Sequence, residues 1–384
     1  MKNNIRLSKS FLGTEEIKAI TNVIKKDGYL GMGNEVYLFE KEIANYLGVP
    51  KEHVVCVNSG TAALHLAVQS ISNPGDEVLV QSLTYLSSFQ AISACNAIPI
   101  ACEVNENTAG ISLYDAQKRT TKLTKAIMPV HYASNPEGIT DVYNFAKKNK
   151  IRVIEDAAHA FGCSYKGKKI GSFGDIICFS FDGIKNITSG EGGCVVTSDK
   201  KVAQYVRDAR LLGVKKDTEK RFSGKRSWDF DVVHQGYRYH MSNLFAAIGR
   251  AQLKKFDSIF SPKRKKIAKI YRKELTGIKD LLFFETNLNE YTPHIQPIRI
   301  INGNRDLVRR ILKKNHIETG IHYKPNHLLT IYYDKKNKLP VTEKIYSEIL
   351  TLPLHPELKH KDIIKISNLI KKILLKKNKI YLKN

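Results

Sequence analysis

Short apolar runs that alternate with helical segments constrain the fold of this chain more than any other feature. The runs read HVVCV, EVLVQS, KAIMPVHY, RVIED, ICFSF and GGCVVTS, and a further apolar stretch lies around residues 92–104. Helical spacing of apolar residues appears between them and before them, as in EVYLFEKEIANYL, which Gly48-Val49-Pro50 ends. This alternation predicts an α/β domain with a mostly parallel sheet.

The pattern changes after about residue 256. A long basic helical stretch (KRKKIAKIYRKEL) follows Pro262, and TPHIQPIRI, RDLVRRILKKNHIETG and DIIKISNLIKKILLKK come after it. We therefore predict a large α/β domain over residues 1–255 and a smaller α+β domain over residues 256–384.

Composition excludes several classes of protein. The 384 residues are 42% hydrophobic and 26% charged, as in an ordinary soluble globular protein. No apolar run is long enough to span a bilayer, and the N-terminus lacks the apolar stretch of a secretory signal, so we expect a cytoplasmic protein without a membrane partner. The net charge of +25 is spread along the chain rather than clustered, which argues against nucleic-acid binding.

The six cysteines lack CxxC spacing, and most lie in apolar company. We interpret them as small buried thiols and predict no metal site.

Two short segments place polar groups where strands end. Ser59-Gly60-Thr61 lies between a strand and a helix, where backbone N–H groups and the helix dipole favour an anion such as phosphate. A plain helix N-cap explains the segment equally well. Asp156 ends the run RVIED, at the ligand-binding edge of a parallel sheet, although a helix-capping aspartate is an alternative.

Lys185 lies between the apolar run ICFSF and the glycine-dense segment SGEGG. Lysine is seldom fully buried without a partner, so it is here either a surface residue or a functional one. An enzyme that uses pyridoxal phosphate needs such a lysine, an acid at the pyridine nitrogen, donors for the phosphate and an aromatic face. The chain offers all of these: Lys185, Asp156, Ser59-Gly60-Thr61 with Ser180, and Tyr85.

The segment EDAAHAFGCSYKGKKIGSFGDIICFSFDGIKNITSGEGGCVVTSD resembles the DegT/StrS family of pyridoxal phosphate-dependent nucleotide-sugar aminotransferases. NSGTAALHLA, PVHYASNPEG, GYRYHMSNLFAAIGRAQLKKFD, HYKPNH and LPLHPEL extend the resemblance over most of the chain. It implies a fold-type I aminotransferase and a homodimer whose subunits share their active sites.

The resemblance also implies roles for individual residues. Lys185 corresponds to the catalytic lysine that forms the Schiff base, Asp156 to the partner of the pyridinium nitrogen, and His159 to a side chain near the phenolic oxygen. Ser59, Gly60, Thr61 and Ser180 correspond to phosphate-binding positions.

Tyr85 corresponds to the aromatic residue that covers the cofactor ring, and Arg238 to a position that reaches the phosphate across the dimer. Ala133-Ser134 departs from the pattern, because relatives more often have Tyr-Gly there. A dehydratase of the same fold typically has histidine in place of Lys185, which counts against that alternative.

The expected reaction moves an amino group from L-glutamate to a nucleotide-linked keto-sugar. The segment before GYRYHMSN resembles the branch that acts at C4, which favours dTDP-4-keto-6-deoxyglucose and a role in surface polysaccharide biosynthesis. Amination at C3 and a UDP- or GDP-linked sugar are the alternatives. His322, Lys324 and His327 in HYKPNH are candidate substrate contacts, and a structural role is the alternative for each.

Overall fold

A computed structural model of the protein describes residues 4–226 and 228–381. The seven strands of its largest sheet are Val54–Val57 (β1), Glu77–Gln81 (β2), Ile98–Cys102 (β3), Thr124–Met128 (β4), Arg152–Asp156 (β5), Ile176–Ser180 (β8) and Gly193–Thr197 (β9); Ser164–Tyr165 (β6) and Lys168–Lys169 (β7) form a separate hairpin. The order in the large sheet is β1-β9-β8-β5-β4-β2-β3. β9 pairs antiparallel with β1 and with β8, and the other neighbours are parallel. The predicted α/β fold with a mostly parallel sheet is confirmed.

Both faces of the large sheet are buried, which explains why its strands read as continuous apolar runs. Alternate residues of one strand enter different clusters: Val54 and Cys56 of β1 join one, and Val55 and Val57 join the other. Helices cover the two faces, so the β-branched side chains of each strand pack on both sides.

The helices lie between and around these strands. Within the described residues they are Thr14–Asn22 (α1), Asn34–Leu47 (α2), Gly60–Gln69 (α3), Leu86–Ser93 (α4), Leu113–Arg119 (α5), Ile139–Asn149 (α6), Lys200–Ala209 (α7), Asp217–Phe222 (α8), Asn243–Lys255 (α9), Ser261–Leu275 (α10), Arg305–Lys314 (α11), Pro340–Glu348 (α12) and His360–Tyr381 (α13). No helix in this part of the chain is both long and apolar enough to cross a membrane.

The C-terminal region contains a second, antiparallel sheet of Leu281–Leu282 (β10), Gln296–Ile300 (β11) and Ile349–Leu352 (β12). Apolar residues of this sheet pack with α10, α11 and α13 in a cluster of their own. A π-helical turn, Phe256–Phe260, joins α9 to α10, so the boundary predicted at residue 255 falls inside a continuous helical stretch. The two-domain division stays a prediction.

The N-terminal segment pairs with the C-terminal region rather than with the large sheet. Ile5 forms a parallel bridge with Ile317, and the amide of Leu354 donates to the carbonyl of Leu7. The six cysteines are free thiols, and all except the half-buried Cys95 are buried, as predicted.

Candidate active site

The ends of four strands of the large sheet meet at one cavity of about 450 Å³. Ser59 follows β1, Tyr85 comes shortly after β2, Asp156 ends β5 and Ser180 ends β8. Each of these residues lines the cavity, and so does Lys185. The carboxyl ends of parallel strands form the ligand-binding edge of open α/β sheets, so this cavity is the candidate active site.

The first helix after β1 directs its N-terminus at the cavity. The hydroxyl of Ser59 caps α3 by accepting from the amide of Ala62 at 3.1 Å. A Cβ added to Gly60 would lie 2.7 Å from the Cβ of Ser180, so glycine lets the helix start pack closely against β8. The hydroxyls of Thr61 and Ser87 are 2.7 Å apart. Hydroxyls and free helical N–H groups at this point suit an anion.

Asp156 is an almost fully buried carboxylate in the cavity wall. Its Oδ2 accepts from the hydroxyl of Ser88 at 2.7 Å, and its Oδ1 accepts from the amide of Ala158 at 3.2 Å. These two bonds fix the orientation of the carboxylate.

Lys185 lies in the loop after β8, partly buried, with its amide donating to the carbonyl of Asp182 at 3.0 Å. Burial lowers the pKa of its amine, and the carboxylates of Asp156 and Asp182 offset part of that effect. Among the described residues, the Nζ atom has no hydrogen-bond or ion-pair partner. The amine is therefore free to react, and it loses its proton more readily than an exposed lysine.

His159 is a buried, uncharged imidazole beside the cavity. Its Nε2 is 3.0 Å from the hydroxyl of Tyr323, and its ring lies 4.5 Å from that of His294. Burial, and then the Lys185 amine, hold the pKa of His159 well below its ordinary value. His322 is the third histidine that lines this cavity. Within residues 4–226 and 228–381, no group of three or more His, Cys, Asp or Glu side chains is arranged so that it could hold a metal ion.

Some of the other predicted site residues line the cavity, and others lie outside it. Tyr85 is 59% exposed at the mouth of the cavity, and His322 lines it. Arg238 and Lys324 are exposed and do not line it. His327 is buried away from it, with Nδ1 2.7 Å from the Ser82 hydroxyl and Nε2 3.2 Å from the Glu343 carboxylate. Of the two roles considered for His327, this environment favours the structural one.

Sequence reasoning missed three residues that shape the site: Ser88, His294 and Tyr323. Ser88 lies three residues after Tyr85, and Tyr323 lies in HYKPNH, but the sequence does not indicate which neighbouring side chain points inward. His294 stands in TPHIQPIRI, which reads as an ordinary strand approach.

Ala133-Ser134, where relatives more often have Tyr-Gly, has an unusual backbone conformation. Both residues adopt left-handed conformations, with φ of 53° and 73°. Such φ values favour glycine, and the fully buried Ser134 offsets the strain with two hydrogen bonds. Its hydroxyl donates to the carbonyl of His159 at 2.5 Å and accepts from the amide of His294 at 2.9 Å.

The residues present fit pyridoxal phosphate. The close approach of Gly60 to Ser180 leaves a helix N-terminus for a phosphate, the oriented carboxylate of Asp156 suits a ring N–H, and Lys185 has an unpaired amine.

Fold and site together thus define a pyridoxal phosphate-dependent enzyme. A family model described as the DegT/DnrJ/EryC1/StrS aminotransferase family matches residues 11–371. The chain belongs to this family, and it is a sugar aminotransferase whose substrates are an amino donor and a nucleotide sugar.

Individual relatives agree with this assignment. The chain is 34% identical over 361 residues to a dTDP-4-dehydro-2,3,6-trideoxy-D-glucose 4-aminotransferase of Saccharopolyspora spinosa, covering 92% of each chain. It is 34% identical over 366 residues to a GDP-perosamine synthase of Vibrio cholerae, covering 94% of this chain and 96% of the other.

A solved structure of the putative sugar aminotransferase Spr1654 from Streptococcus pneumoniae, in its PMP form, is also similar. It has a TM-score of 0.90 and 27% identity and covers 99% of this chain and 100% of that chain. The resemblance to this family read from the sequence, and its cofactor, are confirmed.

Proposed function

We propose that this enzyme transfers the amino group of L-glutamate to C4 of a nucleotide-linked 4-keto-6-deoxy sugar. The product expected from dTDP-4-keto-6-deoxyglucose is dTDP-4-amino-4,6-dideoxyglucose, a precursor for surface polysaccharides. The observation that carries the proposal is the meeting of Lys185, Asp156 and the α3 N-terminus in one cavity.

In this proposal each wall of the cavity holds one part of the cofactor. Ser59, Gly60, Thr61 and Ser180 bind the phosphate through hydroxyls and helical N–H groups. The Asp156 carboxylate, oriented by Ser88, holds a proton on the pyridine nitrogen. When bound, pyridoxal phosphate supplies an aldehyde that carries the amino group and a cationic ring that accepts an electron pair.

Lys185 moves the proton. Because its pKa is lowered by burial, more of its amine is neutral at a given pH than in an exposed lysine, and Nζ takes the α-proton of the amino donor as a general base. The same Nζ, now protonated, would pass that proton to the cofactor carbon that holds the amino group, so that the donor leaves as a keto acid. His159, kept neutral by burial, positions its imidazole through the Tyr323 hydroxyl.

Two relatives support the substrate class. One is named as a 4-aminotransferase of a dTDP-sugar, which favours C4 and dTDP, and the other as a synthase of a GDP-sugar. Amination at C3 and a UDP- or GDP-linked sugar are therefore the competing outcomes. His322, which lines the cavity, is a candidate sugar contact.

A substrate panel tests the proposal. The enzyme is incubated with L-glutamate and with dTDP-, UDP- and GDP-linked 4-keto and 3-keto sugars, and the products are identified by mass and NMR spectroscopy. We expect the dTDP-4-keto sugar to give the highest kcat/KM and Lys185→Ala to form no amino sugar. Preference for a 3-keto sugar, or full activity of Lys185→Ala, would contradict the proposal.

We also propose that the enzyme is a homodimer in which Arg238 reaches the cofactor phosphate of the neighbouring subunit. Arg238 is exposed and outside the cavity of its own chain, as such a role requires. Each site would then take Lys185 from one subunit and Arg238 from the other.

Mixed dimers test this arrangement. Lys185→Ala and Arg238→Ala proteins are combined under conditions in which tagged subunits exchange. Random pairing makes half of the dimers mixed, and one site in each mixed dimer would have both residues intact, so about a quarter of all sites should regain activity. Arg238→Ala alone must first be shown to be impaired. Activity that stays at the mean of the two variants despite exchange would show that the sites are not shared.

A further inference from the structure

Arg264 of α10 is a buried arginine without a carboxylate partner among the described residues. It is 2% exposed, and its Nε has no hydrogen-bond partner. Its guanidinium faces backbone carbonyls instead: Nη1 donates to His294 at 3.1 Å and to Pro293 at 3.4 Å, and Nη2 approaches Ile184 at 3.5 Å and Lys185 at 3.4 Å.

This environment is unfavourable for a cation. Carbonyl dipoles at 3.4 to 3.5 Å are weak acceptors, and a buried charge without a counterion destabilises a fold. Burial lowers the pKa of Arg264 to about 10, which leaves the guanidinium charged at neutral pH. A methionine or leucine would fill the same space without this cost, so stability alone does not explain the arginine.

The position of Arg264 suggests what it does. Its two Nη atoms contact the loop that carries Lys185 and the segment that carries His294, and both of these residues line the cavity. Arg264 does not line the cavity, so it acts through these neighbours rather than on the substrate.

We propose that Arg264 is a positioning residue: it fixes the backbones of Lys185 and His294 against each other and repels a second cation at the Lys185 amine. This inference rests on the role proposed above for Lys185. The electrostatics agree in direction. Burial lowers the pKa of Lys185 most, the carboxylates of Asp156 and Asp182 oppose it, and Arg264 adds a smaller lowering; at His294, Arg264 lowers the pKa after burial, Lys185 and His159.

Other groups also face the Lys185 amine, and they are the same in every variant. They are the carboxylates of Asp156 and Asp182 and the imidazoles of His159, His294 and His322. A change that follows substitution of Arg264 alone can therefore be assigned to that charge, provided that the fold is retained.

Two variants separate the two parts of the proposal. Arg264→Met keeps an unbranched side chain and removes its charge, whereas Arg264→Lys keeps the charge and removes the planar donor fork. Arg305→Met is the matched control. Arg305 is also buried and also donates to backbone carbonyls, those of Tyr346 at 3.1 Å and Ile349 at 3.0 Å. It differs in that neither of these residues lines the cavity and in that its Nε lies 2.7 Å from the Asp306 carboxylate.

The main measurement is the pH dependence of labelling of the Lys185 amine. The full chain is loaded with pyridoxamine 5′-phosphate, which leaves this amine free, and reductive methylation of Lys185 is quantified by peptide mass spectrometry. Arg264→Met should shift the midpoint of labelling upward by about one pH unit, because a repelling charge is gone. Arg264→Lys and Arg305→Met should keep the wild-type midpoint.

Steady-state kinetics test the positioning. Arg264→Lys should lower kcat about tenfold with KM for the amino donor within about twofold, because small misplacements of reacting groups slow the chemical step. An unchanged midpoint in folded Arg264→Met, or wild-type kcat in Arg264→Lys, would overturn the proposal. If Arg264→Met does not fold, the kinetics of Arg264→Lys decide.

Failure of the proposed function looks different. The labelling experiment contains no amino donor and no sugar, so its midpoint reports on Arg264 whatever the substrate is. Full sugar amination by Lys185→Ala would contradict the proposed function without changing the result for Arg264.

Discussion

Two buried arginines of this protein have opposite surroundings. Arg210 is fully buried and donates from Nη1 to the Glu40 carboxylate at 2.7 Å, and Glu40 also lies 3.1 Å from Lys51. Arg264 is equally buried but meets only backbone carbonyls within the described residues. Burial alone would raise the pKa of Glu40, yet the Arg210 and Lys51 cations hold it below its ordinary value.

The difference shows how charge is used in each region. The Glu40 carboxylate accepts from both Arg210 and the amide of Cys56, so it links α2, β1 and the end of α7. The charge of Arg264 is left uncompensated behind the cavity, where it acts on Lys185. A buried ion pair stabilises the structure, whereas a buried charge without a counterion changes the reactivity of its neighbours.

The largest expected effect comes from breaking the ion pair of Arg210 and Glu40. Glu40→Gln leaves Arg210 buried without an anion and should lower the free energy of unfolding by about 3 to 5 kcal/mol. Urea unfolding of the purified protein measures this. Glu357→Gln, which removes the exposed partner of Lys9, is the control and should cost less than about 1 kcal/mol.

Arg264→Met should lower the free energy of unfolding less than Glu40→Gln, since it leaves no buried charge without its partner. Equal losses of unfolding free energy in Glu40→Gln and Arg264→Met would contradict the difference proposed between the two arginines.

Local sequence patterns predicted the strands of the large sheet and the cap at Ser59, because both depend on residues close together in the chain. They did not predict Ser88 at Asp156, Tyr323 at His159 or Arg264 at Lys185. These partners are 68, 164 and 79 residues apart, so only the tertiary fold selects them. The antiparallel insertion of β9 between β1 and β8 is invisible for the same reason.

The next largest effect should be a dependence of the unfolding free energy on pH in the region of Lys185, where His322 lies. Burial, and then the Lys185 amine, lower the pKa of His322 to about 4. Below its ordinary value of 6.5 the unfolded chain binds a proton that the folded chain does not, so this histidine reduces stability by about 1.4 kcal/mol per pH unit as the pH falls from 6.5 to about 4.

His322→Gln should therefore make the unfolding free energy less dependent on pH in that window, measured by urea unfolding from pH 7 to pH 4. His360→Gln, at the exposed start of α13, controls for the substitution itself. Parallel curves for wild type and His322→Gln would contradict the expectation.

The smallest effect on stability should come from the uncharged hydroxyl of Ser134, which contacts His159 and His294 beside the cavity. Ser134→Ala keeps the left-handed backbone and loses the bonds to His159 and His294, and we expect a loss of about 2 kcal/mol. Ser134→Gly loses the same bonds but relieves the backbone, so it should be more stable than Ser134→Ala by about 1 kcal/mol. Thermal and urea unfolding compare the two variants, and equal stabilities would show that the backbone at Ser134 is unstrained.

The pairing of the N-terminal segment with the C-terminal region has a consequence for synthesis on the ribosome. Ile5 is made 312 residues before its partner Ile317. At about 5 to 20 residues per second, the segment waits on the order of 15 to 60 s for that partner. The large sheet, which ends with Thr197, is translated in full during this wait. The segment around Ile5 is thus translated long before it can reach its native contact with Ile317.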